Sequence, residues 1–407
     1  MRRRLRLVLL LGILVALVAG ITFDVWTRRQ LDPELARLER RYGSLRGRTL
    51  VAPPVAAEYN SARFVRAAAA LTVRPAASPY GLLMASARDF ERLPESAIVP
   101  RDLRAFVDAN TEAMRLAGEA IDRHQSSWDA DYAGGGNAPR LLDLRTLSNA
   151  IAIDALLDRK AGRVDEASRK TAAGLAVAAS IRNEPSLISQ LIRIAVATEQ
   201  CEAARALIAG GAPSKAALET LARALADNRQ TDPLRVGLLG ELRYGLDQLV
   251  TMEESPVGRI SRPLLRPFMR LTKVHYLREM ERLIEIQAGP RPHPPFPDSP
   301  RPRLDWRWFA ASVLPGLTRA VDTGDKYDSV LGVTEVGVAL RRYRWDRGSY
   351  PDELSALVPA YLARLPVDPA TGRPPAYART GAGFRLKAES IPNYFSANAP
   401  LEWVVTK

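Results

Sequence analysis

Apolar residues recur at helical spacing through most of the chain, and this pattern predicts a mainly α-helical protein. The pattern is clearest between residues 100 and 230. There, Gly162 and Gly210 mark helix ends, while Ser214 marks a helix start. The connections between these helices are short, so neighbouring helices should run antiparallel. No fixed repeat period is visible, and we therefore expect an antiparallel helical bundle or an irregular solenoid.

The longest apolar run lies at the N-terminus, from Leu7 to Phe23, directly after four arginines. As an α-helix rising about 1.5 Å per residue, it would span roughly 25 Å, slightly less than a bilayer core. It predicts either a signal peptide cleaved near Val18-Ala19-Gly20 or an uncleaved membrane anchor. The run continues past that site and Trp26 suits the membrane interface, which favours the anchor. The preceding arginines predict a cytoplasmic N-terminus and an extracytoplasmic remainder, in the periplasm or at the cell surface.

A proline-rich segment, residues 289–303, interrupts the helical pattern. It contains seven prolines and predicts an extended linker or a long surface loop. With this boundary the chain divides into a signal anchor or signal peptide (1–27), a helical domain (28–288), the linker, and a small α+β module (304–407).

The pattern changes again in the last hundred residues. Residues 333–348 predict an amphipathic helix that ends at its final glycine, and Pro351 fits the first turn of a second helix. Asp368-Pro369-Ala370-Thr371-Gly372 has the composition of a turn: a short polar side chain, a fixed φ, and a glycine. Residues 374–379 and 383–389 then predict the two strands of a β-hairpin.

This order of elements resembles the C-terminal part of the type II secretion major pseudopilin. In that family a long helix leads into a Tyr-Pro-x-x-Leu segment, an Asp-Pro turn and a small sheet. The whole chain is similar to membrane-anchored bacterial proteins that carry such a tail. The resemblance implies that the motif residues hold a loop together rather than bind a ligand. The matching positions are Tyr350, Pro351, Leu354, Leu357, Pro366, Asp368, Pro369, Gly372, Pro374 or Pro375, and Tyr377.

Two departures limit what the resemblance implies. A pseudopilin has a short leader cut just before its hydrophobic helix, and a glutamate near the new terminus. Here the apolar run comes first and Asp24 follows it, so a pilus subunit is not expected. The family often places acidic calcium ligands after the hairpin. In residues 390–407 the only acid is Glu402, so a calcium site of that type is not expected either.

The chain is basic, with a formal net charge of +13. The charge is spread along the sequence, and no recognition-helix or RNP-like pattern accompanies it, so nucleic-acid binding is not predicted. Between residues 254 and 288, five cations share one helical face. This stripe predicts either contact with anionic lipid or the solvated face of a core helix, and the second is favoured. Pro263 and Pro267 predict interruptions of that helix. The five are Arg259, Arg262, Arg266, Arg270 and Lys273.

Few residues in the sequence are candidates for catalysis, metal binding or disulfide formation. The single cysteine, Cys201, excludes an intrachain disulfide, and the three histidines are far apart. Metalloprotease, zinc-ribbon, Walker and nucleophile-elbow motifs are all missing from the sequence. Asp129 and Asp131 form an Asp-x-Asp pair in the polar, glycine-rich stretch 124–139, which makes them candidate metal ligands. A loop between helices accounts for the same composition and is favoured. No cofactor is predicted.

The leading hypothesis is a membrane-anchored, extracytoplasmic and non-enzymatic protein of the bacterial envelope. It would act in protein–protein interaction or scaffolding, with a partner that the sequence does not identify. The alternative is an exported enzyme or a ligand- or metal-binding protein that uses the 124–139 stretch.

Overall fold

The computed structural model describes residues 2–45, 54–74, 101–128, 141–293, 308–389 and 401–406. Within them the predicted fold class is confirmed: the chain is mainly α-helical, with a long apolar N-terminal helix and a small antiparallel sheet near the C-terminus. The helices are α1 (Arg2–Tyr42), α2 (Ser61–Leu71), α3 (Arg101–Ala109), α4 (Thr111–Gly118), α5 (Leu142–Lys160), α6 (Val164–Ala179), α7 (Leu187–Gly210), α8 (Lys215–Arg229), α9 (Pro233–Glu254), α10 (Pro256–Ala288) and α11 (Trp308–Arg347). The strands are β1 (Ala376–Thr380), β2 (Gly383–Ala388) and β3 (Leu401–Val405).

The chain forms two compact units, each built from separate stretches of sequence. Unit 1 comprises Met1–Leu50, Leu238–Ile286 and Pro295–Thr318, and unit 2 comprises Val51–Gly237, Gln287–Pro294 and Arg319–Lys407. The predicted boundaries around the proline-rich segment stay a prediction. Most of that segment lies outside the described residues.

The centre of unit 2 is the helical array α5–α8, whose ends lie close to where the sequence predicts them. Gly162, at φ 79°, follows the end of α5. The Ser214 hydroxyl accepts a hydrogen bond from the Ala217 N–H at 3.2 Å and so caps the start of α8. Helix α6 is rich in alanine and contacts α5, α7 and α8, because its small side chains allow close approach.

A buried arginine fixes the end of α8. Arg193 of α7 is fully buried and donates to the carbonyls of Asn228 at 2.8 Å and Thr231 at 3.2 Å. Burial lowers the pKa of its guanidinium, and these carbonyls take the place of a paired carboxylate, which Arg193 lacks within the described part of the chain. The next residue of α8 after Asn228, Arg229, therefore has a defined position.

The C-terminal part of unit 2 follows the predicted order with two corrections and one addition. The helix predicted from residue 333 begins earlier, at Trp308. Helix α11 ends as predicted, with Gly348 at φ 77°. The expected second helix is only a 3₁₀ turn, Leu354–Leu357, because Pro359 disfavours helical geometry at Val358. The hairpin is confirmed, with Thr380 paired to Gly383. Strand β3 was not predicted.

Aromatic side chains hold the sheet against α11. The Phe384 ring meets the rings of Tyr350 and Trp403 edge-on, at centroid distances of 5.1 and 5.5 Å. The Trp403 ring packs directly over Gly337 of α11, where a Cβ would lie 1.9 Å from it. Only glycine allows this approach, so the sheet is seated on a defined point of the helix.

In unit 1, α9 and α10 form an antiparallel pair, and the second half of α1 packs beside α10. The Lys273 ammonium pairs with Glu253 of α9 at 3.0 Å. Arg37 of α1 donates to Glu281 of α10 at 2.7 Å, and Leu38 is fully buried. Helix α10 is continuous, so the interruptions predicted at its prolines do not occur. Packing of its described part against α9 and α1 helps to offset the hydrogen bonds that the prolines remove.

Residues 10–22 of α1 have no such packing. They belong to the one helix among the described residues that is long and apolar enough to cross a membrane. Its side chains from Leu10 to Val18 are exposed, and Leu10 and Ile13 are exposed by 65% and 61%. A helix with an apolar surface of this size could anchor the chain in a membrane.

Candidate binding groove

The candidate metal ligands Asp129 and Asp131 lie outside the described residues. Among the described residues, no group of three or more histidine, cysteine, aspartate or glutamate side chains is arranged to hold a metal ion.

Two members of the predicted cationic stripe point into unit 1. The Arg270 side chain is 7% exposed and donates to Asp24 Oδ1 at 2.6 Å. Lys273 is similarly buried in its pair with Glu253. Neither cation is therefore available to a lipid headgroup. Arg266 is half-buried, and the side chains of Arg259 and Arg262 lie outside the described residues.

The motif residue Asp368 organises the predicted turn. Its carboxylate is buried and accepts hydrogen bonds from the Ala370 N–H at 3.0 Å, the Glu389 N–H at 2.8 Å and the Ser329 hydroxyl at 3.3 Å. Gly372 closes the turn at φ 68°, and its N–H donates to the Asp368 carbonyl at 2.9 Å. One side chain thus joins the turn to α11 and to the end of β2.

The other motif residues pack around this turn. The Tyr377 hydroxyl donates to the Pro351 carbonyl at 2.6 Å, and Leu354 and Leu357 are buried. Tyr350 is also buried against Phe384. In the structure these residues hold the segment between α11 and the hairpin in place.

That segment forms one wall of an open groove in unit 2, with a volume of about 1330 Å³. Its other walls are α8 and α11, and residues 287–291 close one side. The groove brings together four stretches that are far apart in sequence. The lining residues that matter here are Arg223, Arg229, Arg291, Asp328, Glu335, Arg342, Leu362, Arg364, Leu365, Pro366 and Val367.

An ion network lies in the wall between α8 and α11. The Arg229 guanidinium donates to Glu335 Oε2 at 2.8 Å and to Asp328 Oδ1 at 3.3 Å. Arg291 approaches Asp328 Oδ2 at 3.7 Å and pairs with Asp325 at 3.2 Å. These contacts cross-link three of the four stretches.

Burial shifts the pKa of two carboxyl groups in this network. It raises the pKa of Asp328 to about 6, although the nearby Arg229 opposes this shift. Burial also raises the pKa of Glu335 against the opposing effect of Arg229. The charge of the groove wall should therefore change between pH 5 and 7.

Three further arginines border the groove: Arg223, Arg342 and Arg364. Among the described residues, none of them lies within ion-pair distance of a carboxylate, whereas Arg229 and Arg291 do. Arg342 donates to the Tyr361 carbonyl at 3.3 Å, which orients it, and Arg223 and Arg364 are exposed. Guanidinium groups that form no ion pair favour carboxylate ligands, to which they can donate two hydrogen bonds.

Between these arginines runs an apolar strip of Leu362, Leu365, Pro366 and Val367. Val367 is 48% exposed and the others are half-buried. The described lining contains no serine, cysteine or histidine, and its ionisable side chains are arginines, carboxylates and Tyr361. The arrangement suits binding of a ligand with both apolar and acidic groups.

Sequence reasoning missed this groove, because its charged residues come from separate stretches and none forms a motif. The one signal available was the Asp368 turn, which predicts an ordered segment after α11 but not what faces it.

Comparison of the chain with protein-family models, curated proteins and solved structures finds no match. The functional inference therefore rests on the groove and on α1.

Proposed function

We propose that this protein is a membrane-anchored, extracytoplasmic binding protein of the bacterial envelope. It holds an extended segment of a partner protein in the groove of unit 2. The observation that carries this proposal is the open groove, which combines an apolar strip with three arginines that lack carboxylate partners within the described residues.

Helix α1 supports anchoring rather than cleavage. It is continuous through Val18-Ala19-Gly20, and its second half packs against α10. A peptidase binds its substrate in an extended conformation, so a site within a stable helix is a poor substrate. The arginines before the apolar run support a cytoplasmic N-terminus, which leaves both units outside the cytoplasm.

The shape and charge of the groove support a peptide as its occupant. In an extended peptide, alternate side chains point in opposite directions. One set could cover Leu365 and Val367, while acidic side chains of the other set reach Arg223 and Arg364. The resemblance of the tail to a pseudopilin supports an envelope assembly as the source of the partner, because that tail forms a groove wall.

Site-specific photocrosslinking tests this function in the full-length protein in native membranes. A photoreactive phenylalanine analogue replaces Val367 in the groove, and in a second protein it replaces Ile188, which is 68% exposed elsewhere on unit 2. We expect a discrete crosslinked partner from position 367 and none from position 188. Arg223→Glu with Arg364→Glu should abolish the crosslink.

The control is Arg145→Glu, which makes the charge change of one of these two substitutions at an exposed position of α5. It should leave the crosslink intact. No crosslink specific to position 367, or one that survives loss of both groove arginines, would show that the groove is not the binding site.

A further inference from the structure

Unit 1 exposes an aromatic patch where α1 meets α10. It consists of Phe23 and Trp26 on α1 and Leu265 and Phe268 on α10. The Phe23 ring meets the Phe268 ring edge-on at 5.5 Å and stacks against Trp26 at 6.0 Å. Leu265 lies one helical turn before Phe268. Leu265, Phe268 and Trp26 are each about half exposed, at 50%, 48% and 48%.

The sequence of α1 sets the depth of this patch in a bilayer. Phe23 is the last residue of the apolar run, so it lies at the edge of the hydrocarbon core when the run crosses the membrane. The centroids of the Phe268 and Phe23 rings are 5.5 Å apart. The polar interface on each side of a bilayer is of similar thickness, roughly 5 to 8 Å. Phe268 must therefore lie within or next to that interface.

The carboxylate beside the patch is already paired. Asp24 follows Phe23 directly, and its carboxylate accepts from the buried Arg270 at 2.6 Å and pairs with Arg28 at 3.3 Å. Arg270 also donates to the Asp24 carbonyl and to the Thr27 hydroxyl, at 3.0 and 3.3 Å. An unpaired carboxylate at this depth would oppose insertion, and this pairing removes that obstacle while fixing α10 against α1.

We infer that the aromatic patch inserts into the interface of the same phospholipid bilayer that holds α1. Helix α10 is then a second membrane-contacting element, and it uses Leu265 and Phe268 rather than the cations for which lipid contact was the less favoured alternative. Aromatic rings favour this zone because they are apolar and tolerate its polar groups. The inference rests on the proposed anchoring by α1.

Fluorescence quenching in proteoliposomes tests the inference. Single cysteines at Leu265 or Phe268 are labelled with an NBD maleimide in the full-length protein. The native Cys201 is buried, and burial raises the pKa of its thiol to about 12, so it should stay unlabelled. The proteins are reconstituted in phosphatidylcholine–phosphatidylglycerol vesicles. Quenching by aqueous iodide is then compared with quenching by lipids that carry a shallow nitroxide.

Two reference positions make the outcome specific. Val15, in the middle of the apolar run, reports whether α1 is in the bilayer, and Ile188 reports exposure to water. We expect probes at 265 and 268 to be quenched by the shallow nitroxide, and to be severalfold less sensitive to iodide than the probe at 188. All the labelled positions are exposed, so the fold should persist, which an unchanged thermal unfolding transition would verify.

Iodide quenching at 265 and 268 equal to that at 188 would overturn the inference. Protection from iodide without nitroxide quenching would also overturn it, because a second protein would then cover the patch. If the probe at 15 is lipid-quenched in these cases, the anchor survives and only the patch fails. If the probe at 15 meets water, the proposed anchoring itself fails.

Discussion

The aromatic patch of unit 1 and the groove of unit 2 differ in the side chains that they expose but are alike in the contacts beneath them. Each rests on an arginine paired with carboxylates, Arg270 with Asp24 and Arg229 with Glu335. Beside the first pair the exposed residues are apolar, and beside the second they include arginines that have no carboxylate partner within the described residues.

This difference shows that the exposure of a side chain must be interpreted together with the medium around it, lipid or water. Phe268 is half-exposed and lies next to the end of an apolar helix. Contact of its ring with lipid would be more favourable than contact with water. The exposed Arg364 beside an apolar strip is well solvated in water, and it can form an ion pair with the carboxylate of a bound ligand. The ion pairs fix the geometry, and in the proposed functions the exposed residues contact the lipid or the partner.

The largest effect is expected from removing the carboxylate that supports the groove wall. Asp368→Ala leaves two backbone N–H groups and the Ser329 hydroxyl without their acceptor in a buried site, which should destabilise the turn by about 3 kcal/mol. Hydrogen exchange should increase in peptides that cover residues 366–373. The photocrosslink from Val367 should weaken as well.

Ser329→Ala is the matched control for that change. It removes only the 3.3 Å contact, so it should cost less than about 1 kcal/mol and leave the crosslink unchanged. Equal effects of the two substitutions would show that the backbone contacts of Asp368 do not stabilise the wall.

An intermediate effect is expected beneath the aromatic patch. Arg270→Ala leaves Asp24 with only its contact to Arg28, and the cost should be about 2 kcal/mol because Asp24 is partly exposed. Faster hydrogen exchange in peptides that cover residues 268–280 would report the loosening of α10. In the proteoliposome assay, iodide should reach the probe at Phe268 more readily.

Arg28→Ala provides the comparison, since Arg28 pairs with the same carboxylate but is 51% exposed. Its removal should change neither measurement appreciably. If the two arginines prove equivalent, the burial of Arg270 contributes nothing to the position of α10.

The smallest effect concerns the pH dependence of the groove unit. The pKa of Asp328 is raised to about 6 by burial, above its ordinary value of 3.8, so the folded chain binds more protons than the unfolded chain between these values. Stability contributed by this group therefore falls as the pH rises from about 4 to 6, by about 1 kcal/mol after allowance for its partial exposure.

Asp328→Asn removes this dependence. Thermal unfolding between pH 4.5 and 7.5 should show the wild type losing stability relative to the variant as the pH rises through about 6. A difference that stays constant over this range would mean that the Asp328 carboxyl titrates normally.

Local signals predicted much of the architecture. The ends of α5, α7, α8 and α11 follow from glycines and from the Ser214 cap, because helix ends depend on a few neighbouring residues. The hairpin follows from alternation around a short glycine turn. The same kind of alternation could have predicted strand β3, in which the alternate residues Trp403 and Val405 are buried.

The sites were less predictable than the elements. The spacing of the α10 cations correctly indicates a helix, but only α1 and α9 determine that Arg270 and Lys273 face inward. The groove depends on α8, α11 and two irregular segments meeting in space. No local pattern in any of these predicts which arginines gain a carboxylate partner.

By itself, then, the sequence determined the helical composition, the apolar N-terminal helix and the Asp368 turn, because each depends on residues within a few positions of one another. Tertiary structure alone decided the division into two units, the inward direction of Arg270 and the groove of unit 2. The physical reason is that burial and ion pairing depend on residues that are distant in sequence. In unit 1, for instance, the pairing of Asp24 with Arg270 places Phe268 beside Phe23.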